Sequence, residues 1–373
     1  MNIIFLCKRQ YTGKDVLDDR YGRMYEIPLE LSRSGINVSC FSISYRSKGN
    51  FHENISTGLD WVSYDFNLSH PGGIFRLIRE LFIRVETCKP VAILAGSDII
   101  HLAIGNYVSQ KTNIPLISDL YDNFESFGLS RLPFMKFIYR KALKSSSVVT
   151  CVSKPLSEYV NSYCSVACQI VVIENAVDHA VFKPLPKQES RTKLSLPEDA
   201  ILIGTAGALS ENRDIGVLYR AYEIVLAKNP EVHLVLAGRT SDMVSIPEHQ
   251  NVHYLGELEH RSVADFYNAL DLAIVPLTDS AFGRYCYPLK ACEILSCRTP
   301  LVASSVGVMT EMLKDYPECL FDDRDAEMLA ERILNQLNVP VVPDIEIHSW
   351  AEQSVKLKGL IEGLSDNAKN IYV

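Results

Sequence analysis

The feature that most constrains the fold is a repeated alternation between short apolar stretches rich in Val and Ile and longer stretches with helical spacing. Tyr25–Arg33 has the spacing of a helix that ends at Ser34-Gly35, a stop signal. Strands that are apolar on both faces predict a parallel sheet covered by helices. In the first half, strands are predicted at Ile3–Cys7, Val38–Ile43, Val91–Ala95, Ile99–Ile104, Leu116–Leu120, Val148–Val152 and Ile170–Ile173.

The second half repeats this alternation. Its predicted strands are Ile201–Thr205, Val232–Ala237, Val252–Leu255, Leu272–Pro276 and Leu301–Ala303, and its predicted helices are Ile215–Ala227, Ser262–Leu270 and Pro288–Leu295. Between the two series, Asn175–Gln188 contains two prolines and polar residues, which is typical of an interdomain linker. The stretch Ser349–Leu364 is predicted to be helical.

The sequence therefore predicts an α/β protein of two Rossmann-like, doubly wound domains, residues 1–178 and 179–345, followed by a C-terminal helix in 346–373. A length of 373 residues suits two such domains. Two doubly wound units leave a cleft that faces the carboxyl ends of both sheets, where ligands bind in such folds.

Composition excludes several classes of protein. A hydrophobic content of 47% and a formal net charge of −8 match a globular protein and argue against a general nucleic-acid binder. The N-terminus has no signal-peptide pattern, and no stretch reaches the ~18 apolar residues that would span a bilayer, so a cytoplasmic location is expected. The ten cysteines lack paired metal-ligand spacing and are expected to be reduced core thiols.

The common nucleotide-binding motifs are missing from the sequence. No GxGxxG follows a strand, and no GxxxxGK[ST] loop occurs. The acidic cluster Asp322–Asp325 has two interpretations, a DxD-type metal site or the cap of a helix that begins at Ala326. The position before a helical pattern favours the cap, and no metal is expected.

Five segments in order resemble the retaining GT-B glycosyltransferases, especially the large family four. They are IENAVDHAVFKP, IGTAGALSENRDIGVLYRAY, VHLVLAGR, NVHYLGELEHRSVADFYNALDLAIVPL and YPLKACEILSCRTPLVASSVG. The resemblance implies a GT-B architecture whose last helix, at SWAEQSVKL, crosses back to the first domain. It also implies transfer of a sugar from a nucleotide-diphosphate donor to a sugar or lipid-linked acceptor, with retention of configuration and without a metal or cofactor.

The leaving group in such a transfer is a nucleoside diphosphate, whose growing negative charge basic side chains and a helix N-terminus can stabilise. Arg213 stands where the family's phosphate-binding lysine usually lies, and Lys290 follows Pro288 and Leu289 in the first turn of a predicted helix. A cation opposes the helix dipole at both places, which favours a ligand as the reason for its presence. We expect Arg213 and Lys290 to hold the diphosphate, with Arg284 next.

Glu293 lies in the same predicted helix, where the resemblance implies hydrogen bonds from its carboxylate to the ribose hydroxyls, as the second glutamate of the family's E-x7-E motif makes. The first glutamate of that motif is replaced here by Tyr285, and a family arginine is replaced by Ala208. Tyr285 is where the identity of the sugar is expected to be decided. Gly256 and Glu257 fall where the family's loop meets the base.

In the first domain, the loop Asp18–Arg23 takes the place of a glycine-rich loop near the donor phosphates, and Gly22 either lets the backbone approach closely or forms a simple turn. Asp122 follows the strand Leu116–Leu120 and is the candidate for orienting the acceptor or the sugar, with a helix cap as the alternative. Glu125 is a weaker candidate. His101, at a predicted strand end, is as readily a packed core residue as a site residue.

Two stretches, Ile74–Lys89 and Arg131–Lys144, interleave basic and apolar residues. Such helices suit an anionic membrane surface, although core-packing helices with basic outer faces show the same pattern. Peripheral membrane contact would fit a lipid-linked acceptor in cell-surface polysaccharide or glycoconjugate assembly.

Two other functions stay open. A sugar-nucleotide epimerase of the GT-B fold would need acid and base residues around the sugar, and no acceptor groove. A non-catalytic sugar-nucleotide-binding subunit would account for Tyr285 and Ala208.

Overall fold

The computed structural model of the chain describes residues 1–11, 14–67, 72–126, 128–164, 168–241 and 243–370. It divides into two compact units. The first comprises Met1–Asn175, Tyr285–Tyr287 and Trp350–Val373, and the second comprises Ala176–Arg284 and Pro288–Ser349. The sequence had placed these boundaries at residues 178 and 345. No sequence pattern indicated that three residues of the segment 282–293 group with the first unit.

The described residues of the first unit form an eight-stranded sheet in the order β10-β9-β8-β7-β1-β4-β6-β5. Neighbouring strands run parallel except for β5 and β6 at one edge. A separate antiparallel pair joins β2 and β3. The strands are β1 (Asn2–Lys8), β2 (Gln10–Tyr11), β3 (Lys14–Asp15), β4 (Asn37–Ser44), β5 (Phe51–Ser56), β6 (Leu59–Asp65), β7 (Ala92–Gly96), β8 (Leu116–Leu120), β9 (Val148–Cys151) and β10 (Gln169–Val172).

Helices connect these strands. They are α1 (Val16–Asp19), α2 (Arg23–Arg33), α3 (Gly73–Cys88), α4 (Ile99–Thr112), α5 (Met135–Ser145) and α6 (Lys154–Cys164). In the same unit, the C-terminal helix α13 (Trp350–Asn370) packs against α2. The helices α3, α4 and α5 pack side by side, α3 on α4 and α4 on α5.

The prediction of a strand at Ile99–Ile104 is wrong, because these residues form the first turns of α4. The side chain of Asp98 accepts a hydrogen bond from the backbone N–H of His101 at 3.0 Å and so caps this helix. A short apolar run is ambiguous between a buried strand and a buried helix, since both hide apolar residues on all sides. His101 therefore lies inside a helix and is fully buried.

The described residues of the second unit form a six-stranded, wholly parallel sheet in the order β13-β12-β11-β14-β15-β16. Its strands are β11 (Ile201–Ala206), β12 (Val232–Ala237), β13 (Val252–Tyr254), β14 (Leu272–Val275), β15 (Leu301–Ser304) and β16 (Leu320–Phe321). Its helices are α7 (Lys187–Lys193), α8 (Ile215–Lys228), α9 (His260–Ala269), α10 (Leu289–Ser296), α11 (Val308–Met312) and α12 (Ala326–Asn338).

Most predicted elements of this unit agree with the structure within two residues at each end. Buried aliphatic residues of α8 and α12, such as Leu218 and Leu329, pack with those of the sheet, such as Leu234 and Ile274. Burial of this kind stabilises the unit by roughly 25 cal/mol per Å² of apolar surface removed from water. One difference concerns Pro288, which precedes α10 as its N-cap residue instead of standing at the first helical position.

A bilayer-spanning helix, which would have to be both long and apolar, is not found among the described residues. In each sheet the parallel strands end at one common edge, so the loops that follow them gather there.

Candidate functional site

The carboxyl edge of the second sheet is lined with glycine backbone. Gly207 follows β11 with φ 115°, and Gly238 follows β12 with φ 121°, a region that L side chains rarely adopt. The N–H of Gly238 donates to the carbonyl of Gly256 at 2.6 Å. A Cβ on Gly238 would lie 1.8 Å from the carbonyl oxygen of Gly207. The three loops thus approach more closely than any side chain would allow.

Lys290 lies over this glycine edge. Its Nζ is 3.5 Å from the position that a Cβ would take on Gly207. Lys290 is the second residue of α10, and Leu289 is the first. The first N–H groups of a helix have no partner within it, and Pro288 has no side-chain acceptor to offer them. Positive charge and helix N–H donors are therefore near the backbone of Gly207, a combination that suits an anion.

Arg213 ends a 3-10 turn, Glu211–Arg213, that leads into α8. The central guanidinium carbon of Arg213 lies 4.3 Å from the centroid of the Phe282 ring, which is a cation–π contact. The contact links the loop after β11 to the loop before α10. Arg213 and Lys290 thus come from the two segments that the sequence assigned to the diphosphate.

Arg284 has a carboxylate partner of its own. Its Nε and Nη2 donate to the two carboxylate oxygens of Asp279 at 2.5 and 2.9 Å, and this pairing lowers the pKa of Asp279. Glu257 is likewise paired, with Arg239 at 2.9 Å. The structure places Arg284 and Glu257 in exposed ion pairs, which an incoming ligand would have to compete with.

Glu293 lies one turn further along α10 than Lys290. Burial raises the pKa of Glu293 to about 7, although Lys290 and a hydrogen bond from the Tyr267 hydroxyl act to lower it. The Tyr267 side chain is itself fully buried. The carboxyl group is thus fixed in a partly buried position, where ligand hydroxyls that donate to it would favour its charged form.

The carboxyl edge of the first sheet holds Asp122 two residues after β8. Asp122 is buried, and its Oδ1 accepts the backbone N–H of Asn123 at 2.8 Å. Lys8, at the end of β1, has its Nζ 5.7 Å from the centroid of the Tyr121 ring. Burial lowers the pKa of Lys8, while Asp98 and Asp122 act to raise it. Lys8 was not among the residues predicted from the sequence, although it follows the apolar run Ile3–Cys7 just as Asp122 follows an apolar strand.

Asp98, also missed, connects three elements of the first unit. Its Oδ1 pairs with Nδ1 of His101 at 2.6 Å, and its Oδ2 accepts from the Tyr45 hydroxyl at 3.0 Å. Burial acts to raise the pKa of Asp98, but the His101 interactions and Lys8 outweigh it and lower that pKa to about 2. The Asp98 carboxylate therefore orients His101 and Tyr45 as part of the internal packing.

Tyr285, the residue that replaces an acid in the family motif, has an aromatic environment. Its ring stacks on Tyr159, with centroids 4.6 Å apart and planes 24° apart. The Tyr159 hydroxyl donates to Glu125 at 3.1 Å, and Arg140 donates to the same carboxylate at 2.8 Å. The Ser153 hydroxyl donates to the carbonyl of Tyr285 at 2.8 Å. Glu125 and Tyr285 thus belong to one cluster in the first unit, which we call the tyrosine cluster.

Gly22 is the N-cap residue of α2, with φ 78°. Asp18 and Asp19 lie in α1, so the predicted loop Asp18–Arg23 is partly helical. Arg23 is fully buried and pairs with Asp119 through Nη2 at 2.6 Å and Nε at 2.9 Å. The turn at Gly22 is therefore anchored to the centre of the first sheet.

The acidic cluster at 322–325 lies in the second unit. The side chain of Asp325 accepts the N–H of Met328 at 2.8 Å and caps α12, as the helical pattern after it indicates. Across the described ranges, no group of three or more His, Cys, Asp or Glu side chains is arranged to hold a metal ion.

The fold of the chain is similar to the folds of solved structures. The chain superposes on sucrose-phosphate synthase of Thermosynechococcus elongatus with a TM-score of 0.73 at 16% identity, covering 100% of this chain and 98% of the synthase. It superposes on Anabaena HepE in complex with UDP with a TM-score of 0.67 at 15% identity, covering 100% and 99%. The protein has the GT-B fold, as the resemblance implied.

Comparison of the sequence with known families and proteins gives one family match and several relatives. Residues 200–338 match the family described as "Glycosyl transferases group 1". The chain is 28% identical over 200 residues to a D-inositol 3-phosphate glycosyltransferase of Thermobispora bispora, covering 49% of this chain and 46% of the relative. A relative of the same name from Stackebrandtia nassauensis is 28% identical over 201 residues, covering 49% and 44%. The chain spans about half the length of the curated relatives it matches.

Proposed function

We propose that this protein is a glycosyltransferase that moves a sugar from a nucleoside diphosphate donor to a hydroxyl group of a sugar or lipid-linked acceptor. One observation carries the proposal: Lys290 lies over Gly207 at the carboxyl edge of the second sheet, with Glu293 one turn further along the same helix. This edge belongs to residues 200–338, which match the glycosyl transferases group 1 model.

The diphosphate binds where positive charge and backbone donors meet. Lys290 and the first N–H groups of α10 contact one side of it, and Arg213 contacts the other. The glycines at 207 and 238 leave room for the phosphates to reach the backbone. Because the leaving diphosphate gains negative charge in the transition state, these groups stabilise the transition state more than the bound donor.

The nucleoside extends along α10. Glu293 accepts hydrogen bonds from the ribose hydroxyls, and the backbone at Gly256 and Glu257 contacts the base. Ribose hydroxyls that donate to the carboxylate favour its charged form, so donor binding lowers the pKa of Glu293 from about 7. Two structural neighbours, one in complex with UDP and the other with ADP, support a nucleoside diphosphate as the leaving group in this proposal.

We extend the proposal to retention of configuration without a metal or other cofactor. The bond between the anomeric carbon and the diphosphate breaks, and the acceptor oxygen bonds to that carbon on the same face. A phosphate oxygen accepts the acceptor's proton, and the nucleoside diphosphate leaves. In this scheme the basic groups Arg213 and Lys290 neutralise the leaving group, and Asp122 orients the acceptor or the sugar.

The acceptor in this proposal is part of cell-surface polysaccharide or glycoconjugate assembly. Its support is the distribution of exposed apolar and basic residues on helices α3 and α5 of the first unit. The names of the curated relatives contain D-inositol 3-phosphate, so a phosphorylated polyol belongs in the acceptor panel.

The test is product analysis with radiolabelled UDP-, GDP- and ADP-sugars, with a membrane lipid extract or inositol 3-phosphate as acceptor. We expect label in a new product, with the anomeric configuration of the donor when analysed by NMR. Lys290→Ala should abolish the product, and Lys228→Ala, at an exposed helix end, is the matched control.

Two outcomes would contradict the proposal. Conversion of the donor sugar into an isomer without transfer would favour the epimerase. Donor binding without transfer or hydrolysis, under all acceptors, would favour a non-catalytic subunit.

A further inference from the structure

One face of the first unit carries an unusual share of exposed apolar side chains. Seven of the thirteen large apolar side chains that are exposed in the described ranges lie on α3, α4, α5 or the turn before α5. They are Phe75, Ile83, Tyr107, Leu132, Phe134, Phe137 and Ile138. Because α3 packs on α4 and α4 on α5, these side chains lie on three adjacent helices of the first unit. We call this face the α3–α5 face.

Two highly exposed rings of this face are at the start of α5. Phe134 is 81% exposed and Phe137 is 69% exposed, whereas Tyr139, Ala142 and Leu143 of the same helix are buried. The helix is therefore anchored by its inner side and presents both phenylalanines outward. Phe134 has φ 65°, a left-handed conformation that bulky residues rarely adopt. A strained backbone that displays an apolar ring indicates a function for that ring.

Basic side chains surround these rings. Between Met135 and Ser145, α5 carries Lys136, Arg140, Lys141 and Lys144 and no acidic residue, in a chain whose formal net charge is −8. On α3, Arg76 and Arg79 are exposed next to Phe75, which is 76% exposed. Aromatic rings that enter the headgroup boundary, flanked by cations that meet lipid phosphates, are the pattern of helices that lie on anionic membranes.

We propose that the α3–α5 face docks on the surface of an anionic lipid bilayer. The rings of Phe134, Phe137 and Phe75 insert at the boundary between headgroups and acyl chains, and the lysines of α5 contact the phosphates. A second copy of this chain fits the face less well, because a symmetric contact would place these lysines against one another.

The docking face is joined to the acceptor-side residues. Arg140 of α5 donates to Glu125, which also accepts from Tyr159, and Tyr159 stacks on Tyr285. A bilayer under α5 would therefore present a lipid-linked acceptor close to the tyrosine cluster. This consequence rests on the proposed transferase function, whereas docking itself does not.

The test is sedimentation of the full chain with vesicles of phosphatidylcholine, with and without phosphatidylglycerol. We expect the protein to sediment with the anionic vesicles only, and high salt to release it. Phe134→Ser with Phe137→Ser should weaken vesicle binding by about tenfold or more. The matched control is Met243→Ser with Val355→Ser, which removes side chains that are 77% and 66% exposed elsewhere, and it should bind like the wild type.

Charge-reversal variants separate the contribution of the lysines to vesicle binding from that of the aromatic rings. Replacing Lys136, Lys141 and Lys144 by Glu should abolish binding to anionic vesicles. The control is the same replacement at Lys228, Lys314 and Lys356, which are exposed on α8, near α11 and on α13. It should retain most of the binding to anionic vesicles. Equal loss in the two triple variants would mean a response to net charge and would overturn the docking site.

Two further results would overturn the proposal. One is absence of wild-type sedimentation with either vesicle. The other is a dimer, seen by light scattering, that the phenylalanine variant abolishes, which would assign the face to a second copy. A UDP-induced rise in melting temperature, measured on each variant, keeps the two proposals apart. A wild type that shows the UDP response but binds neither vesicle would contradict docking alone. A wild type that binds anionic vesicles but shows no UDP response would contradict the transferase site alone.

Discussion

The two sheets end in carboxyl edges of different character. In the first unit, acidic side chains at or near this edge are held by other side chains, Asp98 by His101 and Tyr45, and Glu125 by Arg140 and Tyr159. In the second unit, the edge is glycine backbone with φ above 100° at Gly207 and Gly238. Lys290 approaches it from α10, and Arg213 lies in the 3-10 turn that follows β11.

This difference separates two uses of the same topology. A network of paired side chains fixes one arrangement, and replacing any member leaves a buried polar group without a partner. An edge of glycine backbone with adjacent cations keeps room for an anion and gives it N–H donors. We therefore expect substitutions in the first unit to act mainly on stability, and substitutions at the edge of the second unit to act mainly on donor binding.

The largest effect should come from breaking the buried pair of the first unit. Asp119→Ala leaves the fully buried Arg23 without its carboxylate and also removes the acceptor of the Thr150 hydroxyl. We expect a loss of about 3–5 kcal/mol in the free energy of unfolding. Denaturant unfolding followed by circular dichroism measures it.

The control is Glu311→Ala, which breaks an exposed pair with Lys314 and should change stability by less than about 1 kcal/mol. UDP affinity of folded Asp119→Ala should stay within about twofold of the wild type, because the proposed diphosphate site is in the second unit. If Asp119→Ala lost more UDP affinity than this while its free energy of unfolding stayed unchanged, the first unit would act on donor binding and not on stability, contrary to the expectation.

The next effect concerns Glu293, whose pKa is about 7 in the folded protein against an ordinary value of 4.5. Between these values the folded chain binds more protons than the unfolded chain, so stability falls as pH rises through this window. The difference amounts to about 1–3 kcal/mol. Glu293→Gln should lack this component when denaturant unfolding is measured at several pH values.

Donor binding should change in the opposite direction. In the proposed site the ribose hydroxyls donate to the charged carboxylate, so UDP affinity of the wild type should rise as pH increases through 7. Glu293→Gln should bind UDP more weakly above pH 7 and show less of this rise. Parallel pH profiles of UDP affinity in the two proteins would mean that the phosphates titrate and that Glu293 does not contact the donor.

Tyr285 should have a smaller effect. Tyr285→Ala removes the ring that stacks on Tyr159, a contact between aromatic side chains that is worth about 1 kcal/mol. Tyr285→Phe keeps the ring and should be as stable as the wild type in denaturant unfolding. If Tyr285→Phe is as unstable as Tyr285→Ala, the stacked ring does not explain why this residue stands at the position of an acid.

The smallest effect is expected at Arg284, since Asp279 already pairs with its guanidinium in an exposed position. Arg284→Ala should lower UDP affinity by about threefold at most, because exposed ion pairs contribute about 1 kcal/mol or less. Isothermal titration with UDP measures this. A loss as large as that of Lys290→Ala would show that Arg284 leaves Asp279 for the donor.

The sequence predicted much of the second unit because its strands are short, apolar and separated by clear helical patterns. Val232–Ala237 agrees with the structure at both ends. The first unit was predicted less well. The strands β5 and β6 were missed, since Phe51–Ser56 lies at an edge and alternates between polar and apolar residues. Ile99–Ile104 was assigned to a strand because burial on all sides hides helical periodicity.

Arg213 directly precedes α8, and Lys290 and Glu293 lie on α10. Local helix patterns and the family resemblance were enough to identify these three residues as candidates. The environment of Tyr285 could not be obtained in this way. Its partners Ser153 and Tyr159 are more than a hundred residues away along the chain, and only tertiary packing brings them together.

The central claim is that the glycine edge of the second unit, with Arg213 and Lys290, holds a nucleoside diphosphate. Isothermal titration of the full chain with UDP, GDP and ADP tests it most directly, with Lys228→Ala as the control. We predict that Arg213→Ala and Lys290→Ala each weaken the preferred nucleotide by about ten- to a hundredfold, the strength of a hydrogen bond to a charged group. Unchanged affinity in both variants, with the control also unchanged, would contradict the account.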